Sequence, residues 1–100
     1  MKTKQLLRLG VCVPNEGARR LAQWITSQPV GTLSKLMRRT GLGQVAMDRL
    51  MSEDITPADE IGYQIYAFTG CAVSAGDWDS KPKGGWFDIV NLREPLRRAA

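Results

Sequence analysis

Between Thr32 and Leu50 the chain reads TLSKLMRRTGLGQVAMDRL, two short runs of helical apolar spacing that break at a glycine. Leu36 and Met37 mark the inward face of the first run, and Met47 and Leu50 that of the second. Gly41 stands where the chain must reverse, which is easiest for a residue that tolerates positive φ. Leu42 plugs the turn. Arg38, Arg39, Gln44 and Arg49 fall outside the apolar set. Two helices joined in this way, with basic and amide side chains left outward, form the pattern of a helix-turn-helix, and DNA binding is the function that pattern predicts. Plain helical hairpins share the spacing, so its context matters.

The flanks supply that context. Asn15 is an N-cap candidate for a helix over 16–28, with Ala18, Leu21, Ala22 and Ile25 in one stripe. Trp24 lies beside the stripe, and Arg19, Arg20 and Gln23 fall on the other side. Pro29 and Gly31 end that helix. Thr32 is expected to cap the next, over 33–40, and the helix after the turn spans 43–52. Glu53-Asp54 opens a polar loop. Thr56-Pro57-Ala58-Asp59 has the form of a helix start, with Thr56 as cap, Pro57 at the first helical position and Asp59 and Glu60 at the positive end of the dipole. This helix is expected over 57–69, with Ala58, Ile61, Ile65 and Phe68 on one face and Gly70 as its C-cap. Ser74 starts one further turn, 75–78. Phe68 is expected in the core, and Trp24, Trp78 and Trp86 at its edges.

The two ends are less regular. Alternation of Leu7, Leu9, Val11 and Val13 leaves residues 1–13 as either a strand or a loosely attached arm, closed by Pro14. The stretch 79–85, DSKPKGG, has hinge composition. Trp86-Phe87-Asp88-Ile89-Val90 has strand character. Two large aromatics after a hinge need a surface, either on their own domain or on a second subunit.

Charge is unevenly spread. Residues 1–50 hold nine Lys or Arg against two Asp or Glu, and residues 51–100 hold five against eight. A basic half around the bihelical unit suits a polyanion, although a solvated basic face would look the same. At 100 residues, 43% hydrophobic and 24% charged, one soluble domain is expected. Cys12 and Cys71 match no disulfide framework or metal motif, and reduced thiols in a cytoplasmic protein are expected. No segment suits a membrane span, and the N-terminus does not fit a signal peptide. The chain has no histidine, so the commonest general base is missing, and no Gly-Lys-Ser/Thr follows Gly41 and Gly43. Asp77 and Asp79 are more simply solvated or capping groups than metal ligands. No enzyme, cofactor or metal is expected.

Residues 16–79 resemble the Cro/repressor helix-turn-helix superfamily, and within it the small Cro-like and YdaS-like regulators of phages and prophages. The likeness rests on the bihelical unit at 32–50. It rests also on Ile55-Thr56-Pro57-Ala58 and on Ile65-Tyr66-Ala67-Phe68-Thr69-Gly70-Cys71-Ala72-Val73, with Asp77-Trp78-Asp79 following. The chain departs from the pattern at Met37, where a small residue lets the helices cross closely, and at Gly43, where Ser or Thr opens the recognition helix. Asp48 on the recognition helix repels phosphate unless it accepts from a cytosine amino group. The resemblance implies that Gln44, Val45, Asp48 and Arg49 face the major groove, with Gln44 suited to adenine and Arg49 to guanine or phosphate. Lys35, Arg38 and Arg39 would sit near the DNA backbone.

The expected molecule is therefore mainly α: a helix-turn-helix domain of four to five helices at 14–79, preceded by an N-terminal arm or strand at 1–13. It is followed by a C-terminal arm at 80–100 with a short strand, in which Trp86, Phe87, Ile89 and Val90 are the candidate dimer contact. The expected function is a homodimeric, sequence-specific regulator that binds double-stranded operator DNA. The alternatives are an antitoxin that grips its toxin through the C-terminal arm and an inhibitor of another protein that no longer binds DNA.

Overall fold

The computed structural model describes residues 9–88. They form four α-helices, α1 (Glu16–Thr26), α2 (Thr32–Thr40), α3 (Gln44–Ser52) and α4 (Asp59–Phe68), followed by a 3-10 turn over Ala75–Asp79. The architecture is mainly helical, and no strand occurs among the described residues. None of these helices is long and apolar enough to cross a membrane.

Asn15 begins α1 as its sequence position suggests: its side-chain Oδ1 accepts from the Ala18 N–H at 2.8 Å. Its amide also donates to the Asp54 carboxylate at 3.2 Å, tying this helix start to the loop after α3. The two expected threonine caps are not formed. Thr32 lies inside α2 because its hydroxyl donates backward to the Pro29 carbonyl at 2.8 Å, and Gly31, at φ 100°, takes the cap position. Thr56 donates to Asp79 at 2.7 Å, so α4 starts two residues later than expected, with Ala58 at the cap position and Pro57 outside.

Gly41 reverses the chain between α2 and α3 at φ 79°, and its N–H donates to the Met37 carbonyl at 2.8 Å. Thr40 reinforces the turn. Its hydroxyl donates to Leu36 O at 3.0 Å and accepts from the Leu42 N–H at 3.3 Å. Thr69 makes the same kind of link after α4, donating to Ile65 O at 2.8 Å and accepting from the Val73 N–H at 3.3 Å. Gly70 and Cys71 then both adopt positive φ, 65° and 75°. The 3-10 turn is closed by Asp77, whose carboxylate accepts from the Ser74 N–H at 2.9 Å.

The core lies where these elements meet. Leu21, Leu36, Met47, Met51, Ile65 and Val73 are fully buried. Trp78 is central rather than peripheral, with 1% of its surface exposed. Its indole lies against Gly17 so closely that a Cβ there would overlap ring carbons Cδ2 and Cε3. Trp24 meets Phe68 edge-to-face at 5.7 Å between ring centroids, on the rim of this core.

The polar side of α1 is covered by the chain's own C-terminal segment. Glu16 is buried; its backbone N–H donates to Ser80 O at 3.0 Å, and its carboxylate accepts from the Lys83 N–H at 2.9 Å. Arg19, on the side of α1 away from the apolar stripe, is nonetheless only 4% exposed; it pairs with Glu16 at 3.2 Å and donates to Asp88 O at 3.2 Å. Gln23 donates to Trp86 O at 2.8 Å, and the Trp86 indole N–H reaches Gly10 O at 2.9 Å. The hinge-like composition of 79–85 therefore forms a fixed strap. Trp86, Phe87 and Asp88 form a turn rather than the expected strand, because their carbonyls are taken by side chains of α1 instead of a ladder. Residues 9–13 likewise form no strand. Leu7, Ile89 and Val90 lie outside the described residues.

Candidate nucleic-acid interface

α2 and α3 are nine residues each, joined through Gly41, Leu42 and Gly43. Burying Leu33, Leu36 and Met37 leaves Lys35, Arg38 and Arg39 exposed on α2. Burying Met47, Leu50 and Met51 leaves Val45, Ala46 and Arg49 exposed on α3, with Gln44 and Asp48 half-buried. Val45, an apolar side chain on the outer face of α3, is 74% exposed.

Four of the expected DNA-facing residues fall into three groups. Arg38 and Gln44 line one open groove of about 500 Å³ at the α2–α3 turn, together with Ser34 and Gly43. Ser34 was missed by the sequence reading, although its spacing of four from Arg38 puts the two on one helix face. Arg49 lines a second groove, between α3 and α4, with Ala46, Ile55 and Ile61. Arg39 turns toward α4, where its guanidinium lies 5.7 Å from the centre of the Phe68 ring. No single cavity collects all of them; they spread over one continuous pair of helices.

Three of the expected groove-facing side chains, Gln44, Asp48 and Arg49, hold internal partners. Gln44 donates to Asp48 at 2.8 Å, and Arg49 lies 3.6 Å from Glu53, each pair one helical turn apart. Pairs at i,i+4 on a helix surface are worth only about 0.2–0.5 kcal/mol, so a ligand with better partners displaces them at small cost. α3 starts without a side-chain cap: Gly43 has an extended backbone and offers no acceptor to the first turn. Met37 is buried to 5% exposure and belongs to the core, so this larger side chain is accommodated by packing rather than by exposure.

The basic half contributes fewer surface cations than its composition suggests. Arg19 is internal, and Arg20 pairs with Glu16 at 2.9 Å and lies 3.7 Å from Asp77. Lys35, Arg38, Arg39 and Arg49 remain around the bihelical unit. Among the described residues, no group of three His, Cys, Asp or Glu is placed to hold a metal ion. No family model matches this chain, and neither a curated protein nor a solved structure matches it.

Proposed function

We propose that the chain is a sequence-specific double-stranded DNA-binding regulator of the Cro-like kind, acting as a homodimer. The observation that supports this reading best is the outer face of α3, where Val45 is 74% exposed between Gln44 and Arg49 on an uncapped helix start. The exposed cations of α2 flank it. Gln44 and Arg49 supply hydrogen bonds to base edges, and Val45 supplies an apolar contact of the kind a thymine methyl accepts. Lys35 and Arg38 supply phosphate contacts that set register.

The salt dependence of binding tests this reading and counts protomers. One module making three or four phosphate contacts should lose roughly 40–150-fold in affinity between 50 and 200 mM salt. Two modules on a palindrome should lose on the order of a thousandfold or more. The measurement is fluorescence anisotropy on fragments selected from random duplex DNA. A flat response removes the DNA reading. The rival, a protein-interaction module without DNA binding, draws support from the internal pairs Gln44–Asp48 and Arg49–Glu53, and it requires that flat response.

A further inference from the structure

We infer that the groove between α4 and the 3-10 turn is a docking site for an arginine-bearing segment of a partner protein. The groove has a volume of about 410 Å³, with Gly62 and Trp78 among its lining, Tyr63 and Tyr66 along α4, and Asp59 and Asp79 as its carboxylates. Thr56 donates to Asp79 at 2.7 Å, linking the loop before α4 to the 3-10 turn, so the walls are set before anything binds.

Two observations identify the occupant. The first is charge. From position 50 to position 80 the sequence contains no Lys or Arg, and it contains Glu53, Asp54, Asp59, Glu60, Asp77 and Asp79. Every residue lining the groove comes from that stretch. Asp77 is engaged by Arg20 and Ser74, which leaves Asp59 and Asp79 as the groove's own anionic groups. The second is the tyrosine pair. Tyr63 is 68% exposed and Tyr66 37%, with ring centroids 6.5 Å apart and planes tilted by 38°. The side-chain hydrogen bond with Cys71 pushes the Tyr66 phenol above its ordinary pKa of 10.0.

Aromatic faces beside carboxylates suit a guanidinium, which stacks on a ring while its planar fork takes both oxygens of an acid. Nucleic acid is repelled by the same carboxylates. A symmetric dimer through this groove would set Asp59 and Asp79 against their own copies, a like-charge juxtaposition that disfavours it. This docking site does not depend on the DNA-binding reading.

The test is a titration of the isotope-labelled full chain with two capped pentapeptides, Gly-Arg-Leu-Arg-Gly and Gly-Glu-Leu-Glu-Gly, followed by amide chemical shifts. The arginine peptide should give saturable shifts concentrated at residues 56–66 and 75–79, and the glutamate peptide none. Tyr63→Ala and Asp59→Asn, both at exposed positions, should each weaken binding by about three- to tenfold while circular dichroism stays unchanged. Shifts centred on α2 and α3, equal response to both peptides, or no response would overturn the inference. So would salt-sensitive self-association that Asp59→Asn abolishes, which would assign the groove to the basic face of a second copy.

Discussion

Gly17 and Gly41 are both required, for opposite reasons. At Gly41 the space around a Cβ is open and the constraint is the backbone, at φ 79°. Gly41→Ala should therefore cost about 1–2 kcal/mol, the ordinary penalty of left-handed backbone for a residue with a Cβ. At Gly17 the backbone is helical and the constraint is the Trp78 ring. Gly17→Ala should cost at least the upper end of the ~1–3 kcal/mol of an overpacked core, despite alanine's better helix propensity. Thermal unfolding of the two variants checks both values. Glu16 is a third demanding position. Glu16→Ala strands the buried Arg19 guanidinium and the Lys83 N–H, and should cost about 3–5 kcal/mol. Urea denaturation reads this loss, and Glu16→Gln, which keeps one acceptor oxygen but sets an amide N–H against donors in place of the other, should recover only part of it. The stripe Ala18, Leu21 and Ala22 was legible in the sequence because helical spacing needs no distant information. Arg19 was not, since its second partner lies 69 residues away.

At the scale of elements, the bounds of α2 and α3 were legible to within a residue because Gly41 and the apolar spacing act locally. The caps were less so. A threonine hydroxyl has several acceptors within reach, and the choice of Pro29 O by Thr32 and of Asp79 by Thr56 depends on the folded chain. The same limit applies to the candidate interface. Sequence spacing placed Gln44, Val45 and Arg49 on α3, but it carried no sign that Arg39 packs over Phe68 of α4. The substitutions at these positions should separate by role. Arg49→Ala and Gln44→Ala should each reduce affinity for a selected operator by about 1–3 kcal/mol and leave binding to random duplex nearly unchanged. Arg39→Ala should weaken both to a similar degree and lose some stability as well, because its ring contact is removed. Anisotropy on the two DNAs, paired with thermal melts, distinguishes these outcomes; equal losses at all three positions would mean that α3 does not read bases.

At the scale of the whole molecule, the strap at 80–88 changes what the C-terminal segment is for. Trp86 packs on the core of its own chain, while Phe87 is 54% exposed. Trp86→Ala should therefore lower stability by about 1.5–3 kcal/mol. Phe87→Ser should leave stability almost unchanged, and if the dimer contact is here it should shift sedimentation to the monomer and roughly halve the salt slope for DNA. The composition of 79–85 hid this arrangement: Gly and Pro punctuate a chain without saying whether its N–H groups face water or a buried carboxylate. The bond from the Trp86 indole to Gly10 O also joins two points 76 positions apart. The described chain thus begins and ends at one place, like a loop drawn shut by a clasp. A tether attached near its two ends would load that clasp before it loaded any helix. Under tension the strap should peel from α1 first, as a low-force step ahead of the unfolding of the core, and Trp86→Ala, which removes the indole bond to Gly10 but leaves the Glu16 and Arg19 bonds, should lower the force of that step.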